Sequence, residues 1–204
     1  MLSVVYEDDW IFVVDKPAGL LSVPGRGIDA ADSVATRLQL RNAAADPAHR
    51  LDLDTSGLLI VARDPATLRE LQRQFARQEV RKRYVAIVAG EVAGDRGCIE
   101  LALRPDRHER PRQVHDPVHG KPARTTWEVI ERAAGRTRVA LYPHTGRTHQ
   151  LRVHAAHPAG LGAPICGDRL YGTGGERLLL HAQQISFRHP ASGRVIELTS
   201  SVPF

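Results

Sequence analysis

The chain has 204 residues, of which 42% are hydrophobic and 25% are charged. These proportions are ordinary for a globular protein and exclude a fibrous or wholly disordered chain. No apolar run approaches the roughly 20 residues needed to cross a bilayer, and the acidic start MLSVVYEDDW does not resemble a secretory signal. We therefore expect a cytoplasmic protein without a membrane partner, built as a single domain over residues 1–204.

The basic residues are almost all arginines. Lysine occurs only at positions 16, 82 and 121, so 25 of the 28 basic residues are Arg, and the net charge is +5. Guanidinium groups bind phosphate in a bidentate manner and stack on bases, which favours a nucleic-acid partner. A GC-rich genome explains the same bias equally well.

Cys98 and Cys166 lie far apart and form no CxxC pair. Two such residues predict neither a disulfide framework nor a zinc site, and we expect both to be ordinary structural residues.

The first half of the chain alternates strand and helix signals. Apolar runs at 2–6 and 10–14 predict a hairpin or two adjacent strands, and another at 58–62 predicts a buried strand. Asp32 or Ser33 can cap a short helix that ends near Leu40. Asp64 followed by Pro65 is typical of a second helix start, and an amphipathic stripe follows it.

The second half is richer in strands. Strands are predicted at 84–88, 125–130, 137–142, 178–181, 185–187 and 195–198, with a surface loop at 104–112. Thr148 is expected to cap a short helix that ends near residues 158–160. Most consecutive strands are too close for parallel crossovers, so the fold class predicted is α+β, with a mostly antiparallel mixed sheet and flanking helices.

The densest polar chemistry lies in the segment HRLDLDTSG at residues 49–57. A charged turn before an apolar strand is a common place for a site, and it is equally common as a solvated turn. Asp52 and Asp54 could hold a metal and a sugar diphosphate, or act as a glycosidase pair. One of them could instead act on a nucleoside in RNA, with Arg50 beside it.

Several motifs, in one order along the chain, resemble RluA-type pseudouridine synthases. They are HRLDLDTSGLL at 49–59, Arg83-Tyr84, TGRTHQLRVH at 145–154, GAPICGD at 162–168 and LHA at 180–182. The likeness runs from about residue 4 to the end, without the S4-like domain that some relatives carry in front. It is greatest with the dual-specificity branch through LLSVPGR at 20–26, whereas residues 104–120 depart from the family pattern.

The resemblance implies an isomerase that converts specific uridines to pseudouridine. The expected substrates are stem–loops in 23S rRNA and the tRNA anticodon loop, and the expected partner is this RNA alone, bound by a monomer. The N1–C1′ bond breaks and the base rejoins through C5, so we expect neither a cofactor nor a metal.

The resemblance also assigns roles to individual residues. Asp52 is the catalytic carboxylate, and Arg50 fills the space that the flipped uridine leaves. Arg147 is expected to pair with the carboxylate, and Tyr84 to pack against the uracil. His49, Thr55 and Leu180 are expected to support the site. The expected RNA-binding residues are basic and cluster on two segments: Arg81, Lys82, Arg104, Arg107, Arg110 and Arg112.

Two other functions compete with this one. A non-catalytic RNA-binding protein would share the basic surface, although keeping Asp52, Tyr84 and Arg147 together argues against it. A metal-dependent sugar-transfer enzyme would use Asp52 and Asp54, and its activity would vanish with a chelator.

Overall fold

A computed structural model describes residues 2–25 and 31–204, so Arg26 of the LLSVPGR stretch lies outside the described residues. The helices are α1 (Val34–Gln39), α2 (Pro65–Ala76) and α3 (Gln150–Ala156). The strands are β1 (Ser3–Glu7), β2 (Ile11–Lys16), β3 (Asp46–Pro47), β4 (Ser56–Ala62), β5 (Arg81–Ala89), β6 (Arg96–Pro105), β7 (Gln113–His115), β8 (Lys121–Ala133), β9 (Arg136–Pro143), β10 (Leu180–Arg188) and β11 (Val195–Thr199). The α+β class with a mostly antiparallel sheet is therefore confirmed.

The chain divides into two compact units. The first contains the residues up to Lys82 together with His181–Pro203, and the second contains Arg83–Leu180 with Phe204.

In the first unit, β1 and β2 form the antiparallel hairpin that the sequence predicts. Strand β2 pairs antiparallel with β4 along its whole length. Strand β10 pairs with β4 in the parallel direction, which makes this part of the sheet mixed. β3 is added beside β4, and β11 beside β10.

Strand β4 lies at the centre of the first core. All seven of its residues are buried, as expected of a continuous apolar strand covered on both faces. The helix α2 packs nearby through Leu71, which is fully buried in the same cluster. Its start is the predicted one, since the Asp64 carboxylate accepts hydrogen bonds from the backbone N–H groups of Ala66 and Thr67. The buried strand and the capped helix give the segment between β3 and β4 a rigid base.

In the second unit, the strand order is β5-β9-β8-β6-β7, with every pair antiparallel. Strands β5, β8 and β9 were predicted, whereas β6 and β7 were not. Ile99, Leu101 and Leu103 are buried and alternate along β6, so the period-two signal was present in the sequence. The predicted loop at 104–112 is shorter, because β6 continues to Pro105.

Helix α3 does not begin with the predicted Thr148 cap. Its N-cap residue is His149, which has a φ of 52° and makes no side-chain capping hydrogen bond. The left-handed backbone at His149 turns the chain sharply into the helix. Six of the seven helix residues are buried, including the polar side chains of Gln150, Arg152 and His154.

The buried His154 predicts acid sensitivity. Its side chain is 0% exposed, and neither ring nitrogen has a hydrogen-bond partner among the described residues. Burial, assisted by the charges of His157 and His115, lowers its pKa to about 4. The unfolded chain takes up a proton near pH 6.5, so stability should fall as pH drops from about 6.5 towards 4.

We expect protonation of His154 in the unfolded chain to lower the free energy of unfolding by about 2 kcal/mol when the pH falls from 7 to 5. Denaturant titrations at both pH values should show a smaller loss for His154→Leu than for the wild type. The difference between the two proteins cancels the contributions of other titrating groups, including His49. An identical pH dependence in both would contradict the prediction.

Among residues 2–25 and 31–204, no helix is long and apolar enough to span a membrane.

Candidate active site

The segment with the Asp52 carboxylate forms a tight turn ahead of β4. The backbone N–H of Thr55 donates to the carbonyl of Asp52 at 3.1 Å, so residues 52–55 close a turn instead of continuing as an extended strand. Asp52 is half-buried, Arg50 is exposed and Thr55 is buried. The turn therefore presents one carboxylate and one guanidinium near the surface and keeps its closing residue in the core.

A serine on a neighbouring loop fixes the residue between Arg50 and Asp52. The Ser22 hydroxyl donates to the carbonyl of Leu51 at 2.8 Å, and the Leu51 N–H donates back to the same hydroxyl oxygen at 2.9 Å. Both groups are buried. This two-way contact sets the backbone position from which Arg50 and Asp52 extend.

Lys16 binds backbone carbonyls of the turn and of the loop after β2, a role that the sequence did not predict. Its ammonium group donates to the carbonyls of Pro17, Leu20 and Leu53 at 2.7–3.0 Å, and its side chain is fully buried. Burial lowers its pKa to about 8, while the negative charges of Asp52 and Asp54 act in the opposite direction. A lysine at the end of the buried strand IFVVDK was the available signal, because an unpaired cation is not stable there.

Gly57 allows β4 to approach β10 closely. Its φ is +114°, and a Cβ atom at this position would lie 2.3 Å from the carbonyl oxygen of Ala182. Only glycine fits such a contact, so β4 is held against β10 two residues after the turn.

A series of hydrogen bonds fixes Ser56, the residue before Gly57. The Ser200 hydroxyl donates to the carboxylate of Asp15, so it accepts from Nε2 of His181 at 3.1 Å. The other ring nitrogen of His181, Nδ1, forms a hydrogen bond with the Ser56 hydroxyl at 2.9 Å. These contacts tie β4, β10 and β2 together next to the turn.

His49 contacts the backbone of β4 and an aromatic ring of α2. Its Nε2 accepts a hydrogen bond from the backbone N–H of Ile60, and its ring lies 4.7 Å from that of Phe75. Burial, assisted by the charge of Lys82, lowers the pKa of His49 to about 3. The imidazole therefore stays neutral and cannot serve as an acid near neutral pH.

The second unit contains the other predicted residues of the site. Tyr84 lies on β5, is 9% exposed and is paired in register with Leu141. Leu180 is buried at the start of β10. These placements suit packing roles, since both residues are largely buried.

The two arginines of the TGRTHQLRVH motif have different environments. Arg147 is exposed, and its Nε donates to the carbonyl of Pro122 at 3.1 Å. Arg152 is 4% exposed, and its Nε and Nη2 each donate to the Asp168 carboxylate at 2.7 Å. Burial opposes ionisation of Asp168, but the Arg152 contact lowers its pKa overall. The sequence did not predict this buried pair, although Arg152 and Asp168 lie in the motifs at 145–154 and 162–168.

The predicted RNA-binding residues fall into two groups. Arg81, Arg107 and Arg110 are exposed. The others are engaged within the protein: Arg104 with Asp116 at 2.6 Å, Arg112 with Glu109 at 3.0 Å, and Lys82 above the Phe75 ring at 5.9 Å. The Arg104 contact holds the pKa of Asp116 well below its usual range, and burial lowers the pKa of Lys82.

Within the part of the chain that the structure describes, no three His, Cys, Asp or Glu side chains are grouped as metal ligands. Cys98 and Cys166 are both free thiols.

Comparison with known proteins shows the family to which the chain belongs. The family model for RNA pseudouridylate synthase matches residues 10–157, so the match runs through both units. The chain belongs to the RNA pseudouridine synthase family and is an isomerase. The resemblance seen in the motifs is thus confirmed.

Curated relatives match over the full length. The chain is 47% identical to the dual-specificity RNA pseudouridine synthase RluA of Escherichia coli, covering 100% of this chain and 94% of that protein. It is 45% identical to the protein of the same name from Yersinia pestis, with 100% of both chains covered.

Solved structures agree on the fold. Human RNA pseudouridylate synthase domain containing 1 is similar with a TM-score of 0.82 and 30% identity, over 100% of this chain and 84% of that one. Human RNA pseudouridylate synthase domain containing 4 shares the fold with a TM-score of 0.78 at 23% identity, over 98% of this chain and 88% of that one.

Proposed function

We propose that this RNA pseudouridine synthase acts on two RNA classes, a 23S rRNA stem–loop and the tRNA anticodon loop. The support is the identity of 45–47% to relatives named as dual-specificity enzymes, over nearly their whole length. The observation that carries the chemistry is the Asp52 turn, because its carboxylate is half-buried and its backbone is fixed by Lys16 and Ser22. We further propose that the protein acts as a monomer in the cytoplasm.

The reaction is an isomerisation, so the substrate and the product have the same atomic composition. The N1–C1′ bond of uridine breaks, the uracil turns, and a C5–C1′ bond forms; the C5 proton leaves and N1 gains a proton. The Asp52 carboxylate either adds to the uracil ring or assists departure of the base. No electrons and no phosphoryl group are transferred, so we propose that neither a cofactor nor a metal takes part.

Arg50 suits the base-flipping role. Extrusion of a stacked base costs a few kcal/mol, and a planar guanidinium can stack in the vacated position. Arg50 is exposed and lies two residues before Asp52, on backbone that Ser22 fixes through Leu51. Tyr84 is proposed to pack against the uracil in its largely buried position.

Two roles compete for Arg147. The resemblance makes it the partner of the catalytic carboxylate, which would keep that group ionised. Its exposure and its contact with the Pro122 carbonyl favour an interaction with the substrate instead. The two roles predict different kinetic defects, which are separated below.

The dual-substrate proposal is tested with RNA that contains 5-tritiated uridine, because formation of the C5–C1′ bond releases the label. Transcripts of the tRNA anticodon arm and of the 23S stem–loop are assayed separately. We expect tritium release from both. Release from only one class would reduce the proposal to a single-substrate enzyme.

The loop between β6 and β7 is expected to contact RNA phosphates through Arg107 and Arg110, which are exposed. Each phosphate contact contributes roughly 0.7–0.9 to the slope of log affinity against log salt. The double variant Arg107→Ala, Arg110→Ala should therefore flatten the slope by roughly 1.5 units. We exclude Arg104 and Arg112 from this variant because each forms an ion pair within the protein, Arg104 with Asp116 and Arg112 with Glu109.

The matched control is Arg136→Ala with Arg194→Ala, which removes the same charge at other exposed positions. Binding titrations at several salt concentrations compare the two double variants. An equal slope in both would mean that the loop does not clamp the RNA, and the basic cluster between Arg69 and Arg83 would become the better candidate for the RNA-binding face.

A further inference from the structure

A shallow cavity of about 350 Å³ lies in the second unit, on the surface formed by β6 and β8. It adjoins the loop that carries Arg147, because Thr145 lines the cavity and Arg147 donates to the carbonyl of Pro122 in its wall. We call this cavity the β6–β8 trough. Its lining residues are Glu100, Leu101, Ala102, Pro122, Ala123, Arg124 and Thr145.

The floor of the trough is small and apolar. Ala102 on β6 is paired in register with Pro122 on β8, and Glu100 is paired with Arg124. Alternate strand residues share a face, and the residues between these pairs are buried in the core. The four side chains therefore point away from the core, and the short side chains of Ala102 and Pro122 leave a space that can accept a flat ring.

The rim of the trough is positively charged overall. Arg124 and Arg147 are both exposed, and among the described residues that line the cavity the one carboxylate is that of Glu100, which lies 3.3 Å from Nε of Arg124. The contact with the Pro122 carbonyl uses one of the five N–H donors of Arg147. The remaining donors can bind an anion in a bidentate manner, which is the geometry that guanidinium offers to phosphate.

The rim is also held in place before any ligand binds. Gln150 is 4% exposed, and its side-chain amide oxygen accepts from the backbone N–H of Arg147 at 3.0 Å and from the Thr145 hydroxyl at 2.7 Å. Its nitrogen donates to the carbonyl of Arg124 and the hydroxyl of Thr125, each at 3.0 Å. One buried amide thus joins the Arg147 loop to β8 beside Arg124. A binding surface fixed in this way loses little conformational entropy on association.

We propose that the β6–β8 trough is a nucleotide subsite for the substrate RNA. A phosphodiester lies on Arg147 and Arg124, and the attached base covers the floor formed by Ala102 and Pro122. The volume lies at the lower end of the range for small-molecule sites, which suits one nucleotide. The proposal rests on RNA as the substrate, and it assigns Arg147 to substrate binding in place of carboxylate pairing.

The first test measures RNA affinity in the Asp52→Asn background, so that turnover does not disturb binding. The probe is a labelled stem–loop transcript of the tRNA anticodon arm. Arg147→Gln should weaken binding about tenfold and reduce the salt slope by roughly 0.7–0.9, the contribution of one phosphate contact. Arg136→Gln is the matched control, because Arg136 is exposed at the opposite end of β9.

The second test fills the floor without changing charge. Ala102→Leu should weaken binding severalfold and leave the salt slope unchanged, because the phosphate contact remains while the base is excluded. Thermal unfolding shows whether the variant is folded, and Ala102→Val provides a smaller obstruction if Ala102→Leu is not. Weaker binding in either folded variant supports the subsite.

The proposal is overturned if Arg147→Gln and the folded Ala102 variant both bind RNA as tightly as the Arg136→Gln control. It is also overturned if Arg147→Gln, with Asp52 restored, keeps its affinity but loses more than tenfold in single-turnover rate at saturating enzyme. That result would assign Arg147 to the carboxylate. Failure of the wild type to convert one RNA class would contradict the dual-substrate proposal instead, since the binding tests do not depend on turnover.

Discussion

Asp52→Asn is expected to reduce the single-turnover rate of pseudouridine formation by at least about a thousandfold. Asparagine keeps the size of the side chain but loses the charged oxygen that adds to the ring or assists departure of the base. The turn itself should persist, because its closing hydrogen bond uses the backbone carbonyl of Asp52 and the N–H of Thr55. The rate is measured by nucleoside chromatography after digestion of the RNA, with enzyme in excess.

Asp54→Asn is the matched control for this experiment. Asp54 lies in the same turn, is half-buried like Asp52, and contributes to the same field around Lys16. We expect its rate to stay within about tenfold of the wild type, and its free energy of unfolding to match that of Asp52→Asn. If Asp52→Asn still turns over and Asp54→Asn does not, the catalytic carboxylate has been assigned to the wrong residue.

Gly57→Ala is expected to lower the free energy of unfolding by at least about 3 kcal/mol. Alanine is strained at a φ of +114°, and its Cβ would lie 2.3 Å from the carbonyl oxygen of Ala182. Relief of this clash requires β4 and β10 to separate where the Ser56–His181 hydrogen bond joins them. Urea titration measures the loss, and any folded fraction should also isomerise uridine more slowly.

Gly193→Ala separates the two causes of that loss. Gly193 also has a positive φ, of +68°, but a Cβ atom there would have no neighbour within 4 Å. We expect its cost to be about 1–2 kcal/mol, from backbone strain alone. Equal losses for the two variants would mean that the close approach to Ala182 contributes nothing to stability.

Local signals in the sequence predicted those elements whose causes are local. The start of α2 follows from Asp64 and Pro65, and both act within one helical turn. The hairpin of β1 and β2 follows from two short apolar runs separated by acidic residues. In contrast, the single strand β10 was predicted as two, because Gln183 and Gln184 interrupt its apolar pattern.

The supports of the site escaped prediction because their partners are distant in the chain. Lys16 contacts the carbonyl of Leu53, and Ser56 contacts His181. No spacing rule connects such pairs. The predicted RNA-binding arginines show the same limit. The sequence does not distinguish Arg104, which is bound to Asp116, from an exposed arginine such as Arg107.

The two arginines of the TGRTHQLRVH motif show that prediction from the sequence also fails at short range. Arg147 and Arg152 are five residues apart, yet one is exposed and the other is buried against Asp168. The left-handed residue His149 ends the loop and begins the helix between them. Without that backbone geometry, the sequence cannot decide which of the two arginines is exposed and which one is buried.

The most direct test of the central claim, that this chain isomerises uridine through its Asp52 turn, is a nucleoside balance on one stem–loop. The RNA is digested after incubation with the wild-type protein, and uridine, pseudouridine and free uracil are quantified together. We expect pseudouridine to appear in an amount equal to the uridine lost, with no free uracil, and we expect Asp52→Asn to leave the uridine unchanged. Free uracil in place of pseudouridine, or equal conversion by Asp52→Asn, would contradict it.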